Sequence, residues 1–234
     1  EVLEWARAYF MDEVLPVLTP VGLDPAHPFP QILNKSLNFV VSLEGTDAFG
    51  RQTEYAVVQA PRALPRVIAV PETLASGPYD FILLTSLIRV FVGELFPGMT
   101  ILASYPFRVT RNSDLYIDED GADDLLDALA GELSSRAYGD AVRLEVGGSC
   151  PDVTDDFLAE HFGLQERDVY RVNGPVNLNR LSALCGIVER PKLKYTPFVS
   201  STEPGLGASG DIFSVLRQRS VLLHHPYESF SPVV

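Results

Sequence analysis

Two spacings of apolar residues partition this chain. In EVLEWARAYFMDEVL, the residues Val2, Leu3, Ala6, Tyr9, Phe10 and Val14 gather near one face of an amphipathic helix. Pro16 lies just past its end. The next stretch, PVLTPVGLDPAHPFPQ, carries proline at 16, 20, 25, 28 and 30. Fixed φ angles and missing donors make it an extended, turn-rich connection rather than a helix or a central strand. The period then shortens. SLNFVVSL and EYAVVQA are rich in β-branched and aromatic residues, and the polar stretch Glu44 to Gln52 separates them. They predict an antiparallel hairpin with a long loop. PRVIAVP predicts a third strand or an edge. The most apolar run, Phe81 to Phe96, predicts a buried helix capped by Asp80 and ended by Pro97-Gly98. It is too short to span a bilayer and carries Arg89 and Glu94.

Further on, ILASYPFRVT and DLYID predict strands, with Pro106 marking an edge or a bulge. GADDLLDALAGELSSRAYG predicts a helix with acids at its start and Arg136 near its end. AVRLEV predicts a strand, and TDDFLAEHFGL a helix capped by Thr154 and stopped by Gly163. VYRV predicts a strand, NLNRLSALCG a short helix, STEPGLGASG a loop, DIFSVLRQR a helix capped by Asp211, and SVLLHH a final strand. Strands come in pairs before helices intervene, without regular βαβ alternation. The expected class is α+β, a largely antiparallel sheet packed with helices in two layers. An internal boundary is expected near Gly147 to Pro151.

Composition narrows the function. The 234 residues carry 18 basic and 31 acidic side chains, a net charge of −13. That field opposes non-specific binding to nucleic acid or to an anionic membrane. Hydrophobic residues make up 46%, enough for a sizeable core. No signal peptide is visible, and the first residue is Glu1 rather than methionine. The two cysteines, Cys150 and Cys185, form no metal or redox motif and point to a reducing, cytoplasmic compartment.

The motifs weigh against chemistry within this chain. GLGASG, Gly205 to Gly210, matches a dinucleotide fingerprint, but Glu203-Pro204 precedes it where a strand is needed. Asp211 follows it and would occupy the amides a phosphate wants. A loop is the better reading. His27, His161, His224 and His225 fall in no metal-binding pattern. In a strand, His224 and His225 would point to opposite faces and could not act on one atom. RPKLKY and RQR place Lys192, Lys194, Arg217 and Arg219 where a phosphate-rich ligand could be met, although Arg217 and Arg219 equally suit a helix C-terminus. The acids Asp118 to Asp120 and Asp123-Asp124 suit a helix start better than a metal.

Several stretches together resemble the middle (head) domain of the histidine-dependent bacterial polyphosphate kinases. They are YFMDEVLPVLTPVGLDPAHPFPQILNKSLNFVV, PRALPRVIAVP, YPFRVTRNSDLYIDED, LSSRAYGDAVRLEV, VYRVNGPVNLNRL and DIFSVLRQRSVLLHHPYESF. Their order along nearly the whole chain carries the resemblance. It implies a cytoplasmic parent, able to sit peripherally at a membrane, that reversibly moves the terminal phosphate of ATP onto polyphosphate with Mg²⁺ through a phosphohistidine. It places that histidine in C-terminal, phospholipase-D-like domains beyond HHPYESF, so no catalytic, cofactor or metal residue is carried over. It implies residues 1–222 as the middle domain and 223–234 as the start of the first C-terminal domain. Lys192, Lys194, Arg217, Arg219, His224, His225 and Tyr227 are then candidates for a tunnel edge facing polyphosphate. The implied role is dimerisation and domain placement, against the N-terminal domain of a partner subunit and the chain's own C-terminal domains. The alternatives are a free-standing interaction scaffold without catalytic partner domains, and a nucleotide-binding enzyme using Gly205 to Gly210.

Overall fold

The computed structural model describes residues 1–23, 29–46, 53–112, 139–203, 205–206 and 211–233. Predictions for His27, DLYID, residues 121–138 of the expected helix, the acids at 118–120 and 123–124, and residues 207–210 lie outside them. The chain forms two compact units, Glu1–Val188 and Glu189–Val234. No division falls at 147–151, because the Cys150 amide closes a turn on the Gly147 carbonyl (2.9 Å) and its side chain is buried in a core.

The first unit is built on a six-stranded sheet. Its strands are β1 (Thr19–Leu23), β2 (Leu37–Gly45), β3 (Tyr55–Ala60), β6 (Met99–Arg111), β7 (Ala141–Gly147) and β8 (Val169–Val172). The order is β1-β3-β2-β6-β7-β8, and a separate ribbon joins β4 (Val67–Ala69) to β5 (Phe81–Leu83). Every pair is antiparallel except β7–β8. That parallel pair encloses helix α3 (Asp152–Phe162), as a crossover must. The predicted α+β, largely antiparallel class is what forms. The predicted hairpin is β2–β3, and the proline-rich segment supplies β1 at the sheet edge, where Pro20 is tolerated.

Alternation along β2 decides the packing. Leu37, Phe39, Val41 and Leu43 face one side, with Ala56 and Val58 of β3. They meet Phe10 and Val14 after helix α1 (Val2–Tyr9), and Leu84, Leu87 and Ile88 of α2 (Leu84–Phe91). Val40 and Val57 face the other side, with Phe107 and Val109 of β6 and Leu144 and Val146 of β7. They meet Leu158 of α3 and Ile32. Each such side chain contributes about 2 kcal/mol on burial. Helices therefore pack on both faces of β2 and β3, because these strands are apolar on both sides.

Local departures have physical causes. The first helix continues through a wider turn, Phe10–Val14, and a tight one, Leu15–Val17. A four-residue step drifts by about 40° on a regular α-helix. The wider turn offsets that drift and holds Ala6, Phe10, Val14 and Leu18 on the core side. Val2 and Leu3 stay exposed at its start. Asp80 does not cap a helix. It accepts hydrogen bonds from the Ser76 amide (2.6 Å) and hydroxyl (2.7 Å), which hold its carboxyl below the usual range. Phe81–Leu83 pairs with β4 instead, and α2 begins only at Leu84. That helix is amphipathic rather than buried, with Arg89 and Val90 exposed. Thr154 is buried inside α3 rather than capping it, whereas Gly163 ends the helix in the left-handed conformation (φ 65°).

Pro106 sits in an interior strand, not at an edge. The β6–β7 ladder starts one residue later, at Phe107↔Val146. Gly147 stands against the proline ring, where a Cβ would lie 3.2 Å from Pro106 Cδ. A glycine across the strand gap admits the ring, and the end of the ladder removes the need for its missing donor. Gly147→Ala is expected to cost about 1–3 kcal/mol through overpacking against that rigid ring. The measurement is the urea midpoint at unchanged slope. Gly186→Ala, with no atom within 4 Å of its added Cβ, serves as control. Equal midpoints for the two variants would contradict this packing.

Candidate functional site

The second unit holds all seven candidate residues. SVLLHH is not a strand: the chain runs irregularly to a turn at His225–Tyr227. The Glu228 carboxylate accepts from the His224 amide (2.7 Å), and the Glu228 amide donates to the His224 carbonyl (2.9 Å). A turn closed at both ends replaces the predicted strand, so the two imidazoles are not on opposite faces of a sheet. The ring of His224 lies 4.9 Å from that of Tyr227, which meets Phe198 edge-on at 5.7 Å. The His225 ring meets Phe230 edge-on, and its Nδ1–H donates to the Glu228 carbonyl (2.9 Å). A carbonyl only accepts, so this contact places a proton on Nδ1. The Tyr227 carbonyl accepts from the amide (2.9 Å) and hydroxyl (3.2 Å) of Ser201.

The cations sit on other elements of this unit. Lys192 lies in the tight turn Pro191–Leu193, with Lys194 just after it, and both are exposed. Arg217 lies exposed in the last turn of a helix, Ile212–Gln218, where the dipole favours it. Arg219 Nη2 pairs with Glu203 Oε1 at 3.0 Å. Asp211 caps that helix as expected, accepting from the Phe213 amide (3.0 Å) and the Ser214 hydroxyl (2.7 Å), which hold its carboxyl low. A phosphate would have to displace this carboxylate, so the fingerprint reading loses its anion site.

In the first unit, His161 Nδ1–H donates to the Phe157 carbonyl (2.8 Å), and its ring packs between Phe29 and Phe157. That is a structural role. Arg171 pairs with Asp152 and Asp155, neutralising part of an acidic cleft that also includes Asp156, Glu160 and Glu166. No cluster of three or more metal-binding side chains occurs among the described residues. A second cleft was not anticipated. Arg66, Arg180, Thr85 and Asn177 line it together with apolar side chains. Its arginines are separated by more than a hundred positions, so no local motif announces them.

The comparisons bear on this arrangement. Residues 1–184 match the polyphosphate kinase middle domain. The chain belongs to the polyphosphate kinase middle-domain family. It is 55% identical over 232 residues to a polyphosphate kinase of Burkholderia multivorans, covering 99% of this chain and 34% of that protein. It is 51% identical over 230 residues to one of Pseudomonas putida, covering 98% and 32%. The crystal structure of polyphosphate kinase from Porphyromonas gingivalis superposes with a TM-score of 0.66 at 22% identity, covering 99% of this chain and 32% of that one. The chain thus spans about a third of the curated polyphosphate kinases it matches. No helix among the described residues is long and apolar enough to cross a membrane.

Both cysteines are free, Cys150 buried and Cys185 exposed. Burial pushes the Cys150 thiol up to about 12, Asp155 adds to the rise and Arg171 opposes it. An unfolded thiol titrates near pH 8.5. The stability that depends on a neutral Cys150 is fully present below that pH and is lost as pH rises towards 12. At pH 8 a disulfide reagent is expected to find one fast thiol in the folded chain and the second only after unfolding. Two fast thiols would contradict the buried placement of Cys150.

Proposed function

We propose that this chain is the head domain of an ATP:polyphosphate phosphotransferase, and that its own task is dimerisation and placement of the domains that do the chemistry. In this reading the parent moves the terminal phosphate of ATP reversibly onto polyphosphate, with Mg²⁺, through a phosphohistidine outside this chain. Residues 1–222 form the head domain, and residues 223–234 begin the first C-terminal domain. The partners are the N-terminal domain of another subunit and the chain's own C-terminal domains. The parent is cytoplasmic, with peripheral membrane contact open to it.

The observation that carries this reading is the surface of the second unit. Leu193, Tyr195, Phe198, Val199, Phe213 and Leu222 are all exposed there, Tyr195 completely and Leu222 to 91%. Only Leu206 among its described residues belongs to the buried apolar set. A segment of this size with its large side chains outside lacks the burial that would hold it alone. It fits a part that docks on further protein. The matched relatives, about three times as long as this chain, would supply that protein. The acidic balance of the chain also suits a platform that does not hold polyanions over its whole surface.

The turn at His224–Glu228 supports a positioning role. Tyr227, His224 and Phe198 form a short aromatic stack held by Ser201 and Glu228. Such a stack can line a passage edge, with Lys192, Lys194, Arg217 and Arg219 supplying charge nearby in the sequence. The test is phosphate transfer from γ-labelled ATP with Mg²⁺. Acid-labile, alkali-stable label is expected on the full-length parent and not on this 234-residue chain. Label on the short chain would overturn the reading and make His224 and His225 the first residues to replace. Absence of label from both would favour a free-standing scaffold.

A further inference from the structure

We propose that Arg66 and Arg180, with Arg62 beside them, form a binding site for a phosphate-class oxyanion in the first unit. Arg66 is fixed by its backbone: its carbonyl accepts from the Leu84 amide at 3.0 Å, tying the start of β4 to the start of α2. Its guanidinium Nη1 is shut off from water and has no hydrogen-bond partner. A buried, charged donor left unpaired is costly, and a carboxylate is its ordinary partner. Among the described residues, no carboxylate lines this cleft. Its polar lining is Arg66, Arg180, Thr85 and Asn177, and the rest is apolar.

The neighbours of Arg66 make the imbalance worse. Burial pulls its pKa down to about 10, and repulsion from Arg180 and then Arg62 adds to the drop. Among the described residues, Arg62 is engaged through its guanidinium donating to the Asn34 carbonyl, a neutral acceptor that leaves its charge uncancelled. In a chain with 31 acids against 18 bases, three arginines within reach of one another and without a lining acid are out of character. An oxyanion resolves the conflict. It supplies the missing acceptor for Nη1, bridges the Arg66 and Arg180 forks, and takes donors from Thr85 and Asn177. The α2 terminus beside Thr85 has no side-chain cap and no acid in its first turn, so its dipole adds to the same field. The enclosed space is about 10 Å³, room for a single oxygen of the ligand at Nη1, with the rest of the oxyanion in the open mouth beside the exposed Arg180.

The site stands apart from the transferase reading, because it is read by binding to this chain itself. The experiment is titration of the 234-residue chain with inorganic phosphate, in a buffer free of phosphate and sulfate, followed by calorimetry. Saturable binding at one site is expected. Arg66→Met should weaken it about tenfold or more, as should Arg180→Gln, while Arg167→Gln, at an exposed position outside the cleft, leaves it unchanged. Arg66→Met should not lower the unliganded melting temperature, since it removes an unpaired buried charge. Arg180→Gln, at an exposed position, keeps the test open should Arg66→Met fail to fold. Long-chain polyphosphate is the second probe. Displacement of phosphate by it at a far lower total phosphate concentration assigns the site to a link of the polymer. Equal potency assigns it to the free ion. Absence of binding by either probe, or binding that both variants leave intact, would overturn the proposal.

Discussion

The β2–β6 ladder is the constraint on which the first unit rests. It runs from Asn38↔Phe107 to Gly45↔Met99, with one irregularity between Ser42 and Leu43. Because successive side chains alternate, a slip of one residue would exchange Phe39 and Val41 with Val40. Both sets are fully buried, under different helices. The ladder therefore cannot move without emptying two cores at once. Asn38, also fully buried, is satisfied locally: its side chain donates to the Ser36 carbonyl (3.2 Å) and bonds the Ser36 hydroxyl (3.1 Å).

This register also places the chemistry-bearing groups at the periphery. On the α3 face, Arg171 of β8 lies opposite Val146 and reaches Asp152 and Asp155. Along β6 and β7, Arg108 and Glu145 are directly opposed and paired at 3.0 Å, with Arg143 on the second oxygen of the same glutamate. Those cations have a carboxylate beside them, although Arg108 Nε and Arg143 Nε, like Arg66 Nη1, are shut off from water without a hydrogen-bond partner. Among the described residues, Arg66 has no carboxylate lining its cleft, because it enters from the small β4–β5 ribbon, outside the ladder that pairs the others. The contrast separates arginines that hold the fold from one held ready for a ligand.

Much of the architecture was legible in the sequence where local pattern and burial agree. SLNFVVSL and EYAVVQA are rich in β-branched and aromatic residues, contain no proline, and pair as read. AVRLEV, VYRV and the Asp211 cap followed from the same local logic. Pro106 misled because its tolerance comes from Gly147 on another strand, a partner that local reading cannot supply. Phe81–Phe96 misled because three of its residues pair with β4, and tertiary pairing overrides the apolar run. SVLLHH has a strand's composition but no neighbour to pair with, so it closes on Glu228 instead. The arginine cleft was not legible at all: residues 66 and 180, far apart in the chain, meet only through the fold. For the second unit, the family resemblance named the region, and the structure leaves its large apolar side chains exposed.

The central functional claim is that residues 189–234 are completed by protein outside this chain. Amide hydrogen exchange compares the 234-residue chain with the full-length parent most directly. The account predicts equal, strong protection of β2 and β6 in both, and about tenfold or greater added protection of 189–234 in the parent alone. Equal protection of 189–234 in the two proteins would contradict it.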